Sequence, residues 1–202
     1  MRNVIFTLVL AVAAPTAQAA LAAPLHGRAA AKALYAPQGA QVRVLKVKGV
    51  TAKDARILKQ VGAMQKYYGA IAFSPGDGLV NAATVAAANF HSLEAAERSA
   101  LKACDARRSA KAPCVVAALI EPKGYRPGGA LGLSSEATEV FDQVYRKQHA
   151  PKAMAISRST GQFGVAQGRD AERRALATCR AKVEKAEKTA GTRPDCTIVI
   201  AD

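Results

Sequence analysis

Three side chains in this 202-residue chain are of the types that build a small hydrolytic site: His91, Glu94 and Asp77. A histidine can take a proton from a serine or a water near neutral pH, and a carboxylate can orient its ring. No motif ties them together. No Gly-x-Ser-x-Gly surrounds a serine, and His91 lies in "NFHSLEAAE", just ahead of a helical pattern, where it reads as a surface residue beside the helix cap. His149 precedes Ala-Pro in a connecting stretch and reads the same way. Glu94 and Glu97 stand three apart, which puts both carboxylates near the start of one helix, where they favour the positive end of its dipole. The remaining candidates offer less. His26, His91 and His149 are far apart and no Cys-x-x-Cys occurs, so no metal site is expected. "GYRPGGALG" (124–132) lacks a Gly-Lys-Ser/Thr ending, and Pro127 interrupts any dinucleotide fingerprint. That stretch reads as a linker. No motif places a lysine for pyridoxal phosphate, and no cofactor is expected.

The cysteines and the N-terminus say where such a chain works. "MRNVIFTLVLAVAAPTAQAA" has a positive start at Arg2, an apolar run and Ala17-Gln18-Ala19 as a cleavage site, the pattern of a secretory signal over residues 1–19. The apolar run is shorter than the roughly 20 residues a helix needs to cross a bilayer, so no transmembrane segment is expected after cleavage. A periplasmic or secreted location follows, and there four cysteines pair rather than stay free.

The charge is uneven. The formal net charge is +14, and residues 20–66 hold nine basic side chains against the single acid Asp54. Two readings stand: an anionic partner, or basic residues that keep an alanine-rich chain soluble. Candidate contacts are Arg43, Lys46, Lys48, Lys53, Arg56 and Lys59. Nucleic acid is not expected, because export separates the chain from it and few aromatics are available for stacking. Lys53–Lys66 is an amphipathic stretch, so contact with an anionic membrane surface is open.

What positions these residues is an internal repeat. "GVTAKDARILKQV" from Gly49 lies over "GLSSEATEVFDQV" from Gly132 at an offset of 83, and Ala70–Ser74 then meets Ala153–Ser157. Eight residues are missing from the second copy before "AAERSALKAC" and "DAERRALATC" align at an offset of 75, ending at Cys104 and Cys179. Each unit reads helix–strand–strand–helix–strand, an α+β layer with antiparallel strands and helices packed on one face. Thr51 and Ser134 are suited to cap the first helices. Strands are expected over 79–85 and 162–166, after turns ending in Gly78 and Gly161, residues suited to positive φ. The boundaries are 20–48 for a basic N-terminal segment, 49–121 for unit one, 122–131 for a linker and 132–202 for unit two. Four cysteines allow three pairings, and the repeat singles out Cys104–Cys114 with Cys179–Cys196. In the first helices the stripe Ile57, Leu58, Val61 and Met64 recurs as Val140, Phe141 and Val144, while Glu136, Glu139 and Asp142 stand where unit one is basic. The stripe therefore reads as core and the positive face as peculiar to unit one.

"YYGAIAFSPGDG", "SLEAAERSALKAC" and "PCVVAAL" together resemble a family of small exported bacterial domains of unknown function. The resemblance covers unit one from Tyr68 to about Ile120; unit two departs at Lys152, where unit one has Gly69. It implies a secreted α+β module held by a disulfide and carries over no catalytic residue. The leading expectation is an exported, non-catalytic module recognising an acidic protein or an anionic envelope polymer. The alternatives are a small envelope hydrolase built on His91, Glu94 or Asp77, and a purely structural envelope protein. The oligomeric state is not legible.

Overall fold

The structure is a computed structural model, and it describes residues 23–186 and 194–202. The proposed signal sequence lies outside these residues. The chain forms a mixed α+β fold with two antiparallel sheets and two disulfides. In order along the chain the elements are α1 (Gly27–Ala33), β1 (Ala40–Val44), α2 (Ala52–Ala63), β2 (Gly69–Phe73), β3 (Val85–Ala87), α3 (Leu93–Asp105) and β4 (Val115–Pro122). Then follow α4 (Ser135–Gln143), β5 (Lys152–Ser157), β6 (Phe163–Gln167), α5 (Ala171–Ala186) and β7 (Cys196–Ala201). The first sheet is ordered β1-β4-β2-β3 and the second β6-β5-β7.

The repeat is visible down to an irregularity. β2 pairs with β4 through a register shift between Ile71 and Ala72, and β5 pairs with β7 through a shift between Met154 and Ala155, the positions 83 residues on. Cys104–Cys114 and Cys179–Cys196 bridge equivalent places, with Cα atoms 6.1 and 6.2 Å apart. Each closes a short loop, worth roughly 3 kcal/mol if the stabilisation is counted as lost unfolded-state entropy.

Helices cover both faces of each sheet, not one. Side chains alternate along a strand, so Ile71 and Phe73 pack with Leu58 of α2, while Ala70 and Ala72 lie in a cluster with Ala96, Ala100 and Cys104 of α3. Unit two repeats this, with Met154 and Ile156 against Phe141 and with Ala153 and Ala155 against Ala175 and Cys179. Alanine on the α3 and α5 sides lets those helices approach closely. Thr51 and Asp54 form a reciprocal capping box on α2, and Ser134 caps α4.

The eight extra residues of unit one fall in two places. Ala87 pairs with Ala70 and Ala166 with Ala153, so β3 and β6 correspond at an offset of 79. Four residues are therefore inserted before β3 and four after it. The first insertion makes a turn-rich loop over 79–84, in which Asn81 Oδ1 accepts from Ala83 N–H and Thr84 Oγ1 donates to Leu79 C=O. That loop replaces the strand expected from residue 79, and β3 starts only at Val85. The second insertion carries Asn89 and His91 into unit two.

Residues 23–48 of the basic N-terminal segment pack against both sheets. Leu25 bridges Ile200 in parallel beside β7, Ala30 of α1 is buried in the core of unit two, and β1 pairs along β4 of unit one. The segment thus runs from one sheet to the other. The linker is docked as well: Tyr125 meets Tyr35 and Tyr68, and Tyr35 Oη exchanges hydrogen bonds with the backbone of Arg126.

Candidate functional site

His91 lies in the seam between the units rather than on the surface, with 4 % of its area exposed. Its Nδ1 accepts from Ser134 N–H at 3.0 Å and its Nε2–H donates to Gln162 C=O at 3.1 Å. Those partners fix a neutral ring, and burial pushes its pKa down to about 4 against the opposing effects of its hydrogen bond to the Gln162 carbonyl and the charge of Asp195. Around it Asn89 Oδ1 accepts from Glu136 N–H, Tyr67 Oη meets Thr138 Oγ1, and Lys66 pairs with Glu136. Both ring nitrogens are occupied, so His91 has no lone pair free to act as a base.

The hydrolytic set does not assemble. Glu94 shares a small cleft with His91, but Asp77 is elsewhere, holding Ser109 N–H and Ala110 N–H with its carboxylate. Its role is to pin the loop that carries the first disulfide. His149 is exposed, as expected.

The basic residues divide into two kinds. Arg43, on β1, is committed: its Nε and Nη2 reach the buried carboxylate of Glu121 at 2.8 and 2.7 Å. It is a structural cation rather than a free contact. Replacing Arg43 with Ala strands a buried carboxylate, a loss expected to cost about 2 kcal/mol in stability by denaturant melts while leaving anion binding unchanged. The other five differ. Lys46, Lys48, Lys53, Arg56 and Lys59 are exposed, and among the described residues none of them takes part in an ion pair. Asp54, the one acid of α2, is held by Thr51 in the cap. Lys59 and Lys46 line a shallow cleft beside β1.

Beside the α2 cations lie exposed apolar side chains, among them Ile57, Val61 and Met64 of the stripe that the sequence predicts to be core. Leu58 is buried, but Ile57 and Val61 are 36 % and 42 % exposed, Met64 is 84 % exposed, and Val80 on the inserted loop is 91 % exposed. Together α2 and the loop bound a groove of about 430 Å³, floored by Leu58 and Ile71 and walled by Ile57, Val61, Leu79 and Val80. At about 100° per residue, 57, 61 and 64 fall on one edge of the helix, while 53, 56 and 59 wind away across the solvent face, Lys53 beside the apolar edge and Lys59 on the opposite edge, by β1. The missed signal was width. A stripe holding Ile57 and Val61 as well as Leu58 is broader than one sheet face covers.

The equivalent helix of unit two has the opposite sign at three matching positions: Glu136 for Lys53, Glu139 for Arg56 and Asp142 for Lys59. Two of these acids are already paired, Glu136 with Lys66 and Asp142 with Arg146. Of these two matching helices, α2 alone therefore presents a free positive face. Among the described residues no helix is long and apolar enough to cross a membrane. No family model matches the chain, and searches of curated proteins and of solved structures find no match.

Proposed function

We propose that the protein is an exported, non-catalytic binding module that recognises an anionic partner, an acidic protein or an envelope polymer, through α2 of unit one. The observation that carries this is that α2 exposes Lys53, Arg56 and Lys59, none with an ion-pair partner among the described residues, where the matching helix of unit two carries acids. Solubility alone does not call for such a division, because charge of either sign keeps a chain in solution. The two disulfides fit an oxidising compartment.

The test is titration of the mature oxidised protein with polyglutamate at low salt. Changing Lys53, Arg56 and Lys59 together to Gln is expected to weaken binding at least tenfold, since each exposed charge near an anion contributes several tenths of a kcal/mol or more. The melting temperature should stay within a degree or two, because all three side chains are exposed. Equal binding by the parent and the variant would reject α2 as the site and favour a purely structural role.

A further inference from the structure

We infer that the α2 face also docks on an anionic lipid bilayer, with Val80, Met64, Val61 and Ile57 at the acyl boundary and Lys53 and Arg56 at the phosphates. This rests on the reading of α2 as the anion-binding face and names a surface it meets. Cations alone fit any polyanion. What selects a bilayer is the apolar row beside them. Val80 and Met64 are almost wholly exposed, as side chains that enter a fluid phase are. They project from a helix end and a loop tip, with the groove floor of Leu58 and Ile71 between α2 and that loop.

Lys53 flanks the apolar edge of α2 and Arg56 follows it on the solvent face, while Lys59 stands on the opposite edge beside β1. An amphipathic helix lying in a membrane interface needs that order: its apolar edge sinks to the acyl boundary while its charged edge meets the headgroups. The loop that supplies Leu79 and Val80 arises from the four residues inserted before β3, absent from unit two. Unit two also carries acids where the cations stand and Lys147 where Met64 stands. Insertion, apolar tips and positive charge thus coincide on one unit. Charge complementarity with anionic headgroups supplies the attraction, at about a factor of five per Lys or Arg near the surface.

The experiment is co-sedimentation of the mature oxidised protein with two kinds of vesicle, phosphatidylcholine alone and phosphatidylcholine with about 30 mol% phosphatidylglycerol, run beside the polyglutamate titration. The expected result is binding to the anionic vesicles only. Val80→Asn with Met64→Gln, which change no charge, should lower vesicle partitioning at least tenfold through lost apolar burial and leave polyglutamate binding unchanged. Both sites are exposed, so the doubly substituted protein keeps its fold, which a melting curve checks. Binding to polyglutamate without binding to anionic vesicles overturns the bilayer and leaves the anion-binding reading standing, with an acidic protein as the partner. Binding to neither overturns both. Vesicle binding indifferent to the apolar substitutions also overturns the inference, because the groove and tips then take no part.

Discussion

Lowering the pH from 7.5 to 4 is expected to remove about 3 kcal/mol of stability through His91 alone. In the folded chain the ring is neutral, buried and hydrogen-bonded at both nitrogens, with a pKa near 4. In the unfolded chain it titrates near the ordinary histidine value of about 6.5. Between those values the unfolded state binds the proton and the folded state does not, so acid favours unfolding. The contribution is complete above about pH 6.5 and is lost as the pH falls toward 4, and the span of about 2.5 units converts to roughly 3 kcal/mol. Urea melts at half-unit intervals check it. His91→Gln should start less stable at pH 7.5 and change far less between pH 6.5 and 4.5. Equal pH dependence in both proteins would place the titrating group elsewhere and His91 in solvent.

Gly161→Ala is expected to destabilise the fold by about 3 kcal/mol, although alanine normally stabilises a site that glycine does not require. A Cβ there would sit 2.0 Å from Asn89 O, and one at Gly132 would sit 2.2 Å from His91 O. Both obstacles are backbone, so the units must part or the inserted segment must shift, and overpacking of that kind costs kilocalories. Gly129 is the control. A Cβ there meets nothing within 4 Å, and Gly129→Ala should be neutral or slightly stabilising. Thermal melts of the two variants separate the cases, and equal melting temperatures would mean that the seam is not close-packed.

Those glycines show where sequence reasoning stops. Gly49 and Gly78 hold positive φ, as turn residues do; the turn-rich sequence predicts the same for Gly161, and Gly132 is the partner of Gly49 in the repeat. In unit two neither does; they serve close approach to the other unit. The repeat preserves a residue type while the physical reason for it changes. His91 was misplaced for a related cause. Local periodicity reports which face of an element is apolar, but burial against a neighbouring unit leaves no local pattern. The same holds for Leu25 and α1, whose partners lie in a sheet more than a hundred residues away in sequence.

What was legible came from matching one half of the chain to the other. The disulfide pairing, the alternation of Ile71 and Phe73 against alanines, and the caps at Thr51 and Ser134 all follow from local chemistry written twice. Arg43 shows a signal that was present but unread. Gln41-Val42-Arg43-Val44 alternates as an edge strand should, and Glu121 stands beside it on β4. The cations of α2 were legible as a set, whereas the exposed groove beside them depended on how far the sheet extends.

The most direct measurement is binding by a protein whose α2 carries the acids of its twin: Lys53→Glu, Arg56→Glu and Lys59→Asp. The helix should form, because α4 folds with those residues and a Glu near the N-terminus favours the dipole. Affinity for polyglutamate should then fall more than a hundredfold, because three attractions become repulsions, while the melting temperature holds. Retained affinity in a folded variant would contradict the account, and the positive charge of unit one would be no more than a solubilising coat.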